Sequence, residues 1–353
     1  MDIKARDNSL DVLRGLAIIS VLMIHVTADY VYADAGSLTY AVMNVVDKVF
    51  HCAVPTFVTL TVYLALKSGR KLGPSYVLRK AGPLVLMYVV WSALYMIAQY
   101  IAYSVPIPGP KELIFNYLLQ GQACYHLYYV VMLIQLYVVI AILSRLPIKR
   151  LHPRWWMLPA AILAQAVILV LFIKFIILRF WFYNTAIFPI FYVLPITIGV
   201  MLAADDERTK GLFRSCGPVF GICWGFGLAL FAWFSAGGSQ AFGTGFYAGS
   251  LFNTVATAVF NVGGVPLMFL LAEKLKNVSP LSLMGRHSLT IYFAHPMALY
   301  LMDAAYNIRT GSPIQLAVGI GVRAILIIAL SLGYAYCAQK VKSHNLFKNL
   351  RQS

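Results

Sequence analysis

Apolar residues run in ten long stretches along this chain, with short polar or basic segments between them. The stretches cover about 9–30, 42–66, 78–103, 122–145, 156–178, 186–204, 217–236, 248–272, 285–306 and 314–339. Most are near the roughly 20 apolar residues that a helix needs to cross a bilayer. A backbone inside lipid must satisfy its own hydrogen bonds, so each spanning stretch is expected to be a helix. The pattern predicts an all-α polytopic membrane bundle of about ten transmembrane helices, forming a single domain over residues 1–353. The first stretch is expected to be a retained span rather than a cleaved leader, because ionisable groups interrupt it and no small-residue cleavage site follows.

Smaller signals fill the gaps. Ser104–Pro110 (SVPIPGP) predicts a rigid turn, since each proline disfavours helix before it. The following segment, 111–120, has apolar Leu113, Ile114, Tyr117 and Leu118 spaced for a short helix lying in the membrane interface. Arg179–Tyr183 (RFWFY) resembles an interfacial aromatic belt, and the Gly-rich Ala236–Ser250 predicts an outer loop.

Composition sharpens the class. The chain is 61% hydrophobic and only 11% charged, with mean hydropathy +0.77, which excludes a soluble globular domain. The net charge of +16 would suit a nucleic-acid binder, but its distribution argues against one. Lysines and arginines follow the second, fourth, sixth and eighth stretches and fill the tail, whereas the opposite loops hold Lys111, Arg179 and Arg309. Basic loops stay on the cytoplasmic side, so both termini are expected there, in a multi-pass protein of the inner (plasma) membrane. The expected partners are the lipid bilayer and an anionic cytoplasmic ligand, not nucleic acid. Five cysteines follow no ligand or disulfide spacing, so no metal is expected.

Candidate chemistry lies in Leu10–Tyr30, LDVLRGLAIISVLMIHVTADY. Asp11, Arg14, His25 and Asp29 interrupt an apolar helix, and ionisable groups in such a helix face protein or a wet cavity. Arg14 and His25 are eleven residues apart, which is about three turns, so they share a face about 16 Å apart along the axis. A fixed cation low on that face and an imidazole above it suit a long anionic ligand laid lengthwise. Spacing alone equally allows a snorkelling Arg14 and a satisfied interior His25. His51, His126, His295 and Arg323 fall at similar outer depth, and Arg79, Lys80, Arg286 and His287 fall beside Arg14 on the inner side.

These residues also carry a resemblance. Asp11-x-Leu13-Arg14-Gly15-x-Ala17 with His25 following as Arg-x10-His resembles the signature of the acyltransferase-3 family of membrane O-acyltransferases. Ala53-Val54-Pro55-x-Phe57, Tyr125-His126-Leu127-Tyr128-Tyr129 and Gly285-Arg286-His287-Ser288-Leu289-x-Ile291-Tyr292-x-x-His295-Pro296 resemble its other segments, in order. Within the family the resemblance is to the enterobacterial common antigen O-acetyltransferase type. One segment departs: where members carry Phe-Phe-x-x-Ser-Gly, this chain has Phe57-Val58-Thr59-Leu60-Thr61-Val62-Tyr63, and Thr61, Val62 and Tyr63 are expected to pack differently.

The resemblance implies transfer of an acyl group, most often acetyl, from cytoplasmic acyl-CoA to a hydroxyl of an envelope or exported glycan. The expected mechanism has His25 as general base, with Asp29 four residues on, on the same face, placed to orient its ring; a covalent acyl-enzyme stays open as the alternative. Arg14 would hold acyl-CoA, with Arg79, Lys80 and Arg286 around its phosphates and Asp11 positioning the Arg14 guanidinium. His126, His295, Tyr292 and Arg323 are the candidates for stabilising the oxyanion, with His126 and His295 in the catalytic set. Two other classes fit the same ten stretches: a secondary transporter or exporter, and a sensor domain without catalysis.

Overall fold

A computed structural model describes residues 7–172, 185–237, 246–305 and 312–351. The expected aromatic belt at Arg179–Tyr183, Arg309, the basic residues Lys4 and Arg6 and most of the Gly-rich loop lie outside them. The described residues are helical, with no strand among them. The helices are α1 (Asn8–Thr27), α2 (Leu38–Val49), α3 (Ala53–Leu66) and α4 (Pro74–Tyr103). Then come α5 (Tyr128–Leu143), α6 (Met157–Phe172), α7 (Val193–Ala204), α8 (Asp206–Ser215) and α9 (Gly217–Ser235). The last four are α10 (Phe246–Lys274), α11 (Ser279–Arg286), α12 (Ser288–Ala305) and α13 (Pro313–Arg351).

Each of the ten apolar stretches overlaps at least one of these helices, 42–66 taking in both α2 and α3, while α8 and most of α11 lie in the segments between stretches. By length and hydropathy, six spans among the described residues can cross a membrane alone: Asn8–Tyr32, Leu38–Leu66, Pro74–Tyr103, Gly217–Ser235, Phe252–Lys274 and Pro313–Val341. The pair Pro189–Ala204 and Asp206–Ser215, bent by 120°, makes a seventh if it is one broken span. α5 and α6 are equally apolar but only 16 residues long. Bulky apolar side chains such as Leu86, Ile101, Ile222 and Ile325 point outward, as a lipid solvent allows and water does not.

The expected turn at Ser104–Pro110 forms, with Ser104 ending α4 in the left-handed region at φ 55°. The segment after it differs from a regular interfacial α-helix. Residues Leu113–Leu118 wind as a π-turn, in which the Leu119 N–H reaches back five residues to the Ile114 carbonyl at 3.0 Å. That wider winding leaves Ile114 and Phe115 exposed and removes the single face expected from α-periodicity.

The chain packs as two compact units. Unit 2, Val54–Gly263, buries Tyr63, Tyr95, Met132, Leu136, Phe213 and Phe260 in its core. Glycines set its close crossings: a Cβ at Gly227 would strike the Phe260 backbone, and one at Gly263 would strike Phe220 and Trp224. Unit 1, Met1–Ala53 with Gly264–Ser353, gathers α1, α2, α11, α12 and α13. Asp7 caps the start of α1, its carboxylate accepting from the Ser9 N–H at 3.0 Å. α1 is the hub of unit 1, packing on α11, α12, α13 and the 3₁₀ turn Phe50–Cys52.

Candidate active site

The tightest packing in unit 1 is the crossing of α1 and α11. A Cβ on Gly15 would run into the Leu281 carbonyl, and one on Gly285 into the Asp11 carbonyl. Only glycine lets two helix backbones approach this closely. Each crossing glycine has an arginine as chain neighbour, Arg14 on α1 and Arg286 at the end of α11. Arg14 Nη1 donates to the buried Asp11 carboxylate at 2.7 Å, the pairing that the i, i+3 spacing predicts, while its own side chain stays 29% exposed. Arg286 is exposed. This end of the unit therefore offers two arginines close to one crossing.

Ten residues beyond each glycine stands a histidine, His25 on α1 and His295 on α12. Their rings stack with centroids 5.1 Å apart and planes inclined by 23°. α11 crosses α1 in antiparallel order, Gly15 against Leu281 and Gly285 against Asp11, and α12 then returns along α1 to bring His295 to His25. His295 is 1% exposed, whereas His25 keeps part of its surface accessible.

The ring of His295 is held by a local device. Pro296 has no N–H, so the carbonyl four residues back, that of Tyr292, has no helical donor from it. His295 Nδ1 approaches that carbonyl at 2.7 Å. A carbonyl only accepts, so Nδ1 carries the proton and Nε2 of the neutral ring carries the lone pair. His51 is fixed alike, its Nδ1 donating to the Asp47 carbonyl at 2.9 Å, and its turn packs against α1 within electrostatic reach of His25.

Beyond the histidines, polar groups fasten the end of α1. Thr27 Oγ1 lies 2.8 Å from the Asp47 carboxylate, which also accepts from Lys48 Nζ at 2.6 Å. Tyr30 donates to Asn44 at 3.1 Å. Asp29 has a partner from another helix. It accepts from Arg323 Nη1 at 2.5 Å, and the other nitrogen of that guanidinium meets Asp303. Arg323, expected by depth alone as an oxyanion donor, is engaged between these two carboxylates. Asp47, Lys48 and Asp303 are not among the residues that spacing singles out. A charged pair inside an apolar stretch was the available signal for the first two.

A family model described as an acyltransferase domain matches residues 7–333. The chain belongs to the acyltransferase-3 family. Membership makes it a membrane-embedded acyltransferase. Comparisons with curated proteins and with solved structures return no match.

In this acyltransferase the remaining expected residues lie in unit 2. His126 is 2% exposed, edge-on to Tyr95 at 5.4 Å between centroids. It sits in a tight loop whose Gly121, at φ +73°, packs on the backbone of Leu127 and Tyr128. Arg79 and Lys80 are exposed near the start of α4. Three of the four histidines expected together, His25, His51 and His295, are in unit 1. The departure at Thr61-Val62 has a counterpart in packing. Val62 is fully buried against Gly199 of α7, where an added Cβ would sit 2.7 Å from the valine Cβ. The small residue at this contact is on the partner helix instead.

Proposed function

We propose that this acyltransferase moves an acetyl group from cytoplasmic acyl-CoA to a hydroxyl of a cell-envelope or exported glycan. The likeness to the enterobacterial common antigen O-acetyltransferase type supports that acceptor class. The reading treats 1–353 as one acyltransferase-3 domain of the inner membrane with both termini cytoplasmic. The single observation that supports it most is that α1 and the α11–α12 segment carry arginines beside their glycine crossing and stacked histidines ten residues beyond it. CoA has the matching polarity, with phosphates at one end and a thioester at the tip of a long arm. Its phosphates would lie against Arg14 and Arg286, with the thioester beside His25.

The chemistry then balances with one histidine. A ring nitrogen of His25 takes the proton of the acceptor hydroxyl as its oxygen bonds to the thioester carbonyl. The tetrahedral intermediate collapses, the C–S bond breaks, and the thiolate recovers the proton from His25. His25 is assigned this step over His295 because it retains accessible surface. His295, with its tautomer set by Tyr292, stacks against the working ring and supports its orientation.

The test uses purified protein in nanodiscs with radiolabelled acetyl-CoA and envelope glycans. Label on glycan, with Arg14→Ala raising the acetyl-CoA requirement about tenfold or more, is the expected result. Arg14→Ala with unchanged CoA dependence would remove the clamp. Solute accumulation in vesicles without any use of acetyl-CoA would replace this reading by the transporter.

A further inference from the structure

Arg323 is placed where it acts on both histidine-bearing helices at once. His25 lies in the last turn of α1, which tightens into a 3₁₀ turn at Ala28–Tyr32. Last turns leave carbonyls unsatisfied and fray unless something holds them. Asp29 is one turn beyond His25, and Asp303 is about two turns beyond His295. Arg323, 6% exposed on α13, binds both carboxylates with different guanidinium nitrogens. The planar fork of arginine makes two such bonds in fixed directions, which a lysine cannot. One side chain on a third helix thus spans α1 and α12 just beyond the stacked rings.

We propose that Arg323 is a positioning residue for the reaction: it sets the His25–His295 stack by tying Asp29 to Asp303. It does not touch substrate. This inference rests on the acyl-CoA reading for its kinetic consequence, but its structural consequence is independent of the donor.

Two readouts on the full chain in nanodiscs test it. The first is turnover per acetyl-CoA binding site, with sites counted by saturation binding, so that loss of folded protein is divided out. Arg323→Ala should keep the acetyl-CoA Kd within about twofold, because the phosphates lie at the far end of α1, and lower turnover per site roughly 10- to 100-fold. Arg323→Lys should fall between, since it reaches one carboxylate. The second is the through-space cross-peak between His25 and His295 in histidine-labelled protein by solid-state NMR. It should be present in the wild type and lost in Arg323→Ala, whatever the donor is. Should Arg323→Ala fail to fold, Asp303→Asn cuts only the tie to α12 and should weaken both readouts. Wild-type turnover per site with an intact cross-peak in either folded variant overturns the proposal. A wild type inert to acetyl-CoA removes the donor reading, while the cross-peak still decides the role of Arg323.

Discussion

At the scale of single residues, the site depends on which nitrogen of each imidazole carries its proton. For His295 that choice follows from its neighbour. Pro296 removes one backbone N–H, the Tyr292 carbonyl is left to the side chain, and the ring tautomer is fixed. Replacing Pro296 with alanine restores a competing N–H. The expected outcome is a split: thermal stability is held or raised, since an interior proline costs a helix about 3 kcal/mol, while turnover falls about tenfold. Melting by intrinsic fluorescence beside a CoA-release assay checks it. A parallel fall of stability and turnover would mean that the proline is needed only for packing. Arg14, His25 and His295 were legible in the sequence as ionisable groups in apolar helices. The pairing of Asp29 with Arg323 was not. The i, i+4 spacing offered His25, but Arg323 approaches from a helix almost three hundred residues away, and sequence carries no lateral neighbours.

At the scale of elements, the family signature divides into chemistry and architecture. Gly15 and Gly285 each stand beside a signature arginine, yet their own task is to let α1 and α11 touch. Gly15→Ala or Gly285→Ala should destabilise unit 1 by about 1–3 kcal/mol, because a rigid carbonyl blocks each new methyl. The double variant should cost less than the sum, since both act at one crossing. Gly82→Ala in α4 is the control: nothing lies within 4 Å of its added Cβ, so it should be neutral or gain up to about 1 kcal/mol. Equal losses at Gly15 and Gly82 in denaturant titrations would contradict the close crossing. Hydropathy located the long apolar helices, because lipid demands long apolar runs, but not the short α8 and α11, which lie largely in segments read as loops. It could not show the π-turn at Leu113–Leu118, which changes winding without changing composition.

At the scale of the whole molecule, two compact units share one family match, and the stacked histidines belong wholly to the first. Composition and loop charge made the membrane class legible, since few alternatives tolerate so much exposed apolar surface. The central claim is that His25 moves the proton in acyl transfer. The most direct measurement is release of free CoA thiol from acetyl-CoA by the purified protein with acceptor present, comparing wild type with His25→Ala at equal numbers of acetyl-CoA binding sites. The account predicts unchanged binding and a loss of roughly 10²- to 10⁴-fold in release. Release from His25→Ala at the wild-type rate per site would contradict it.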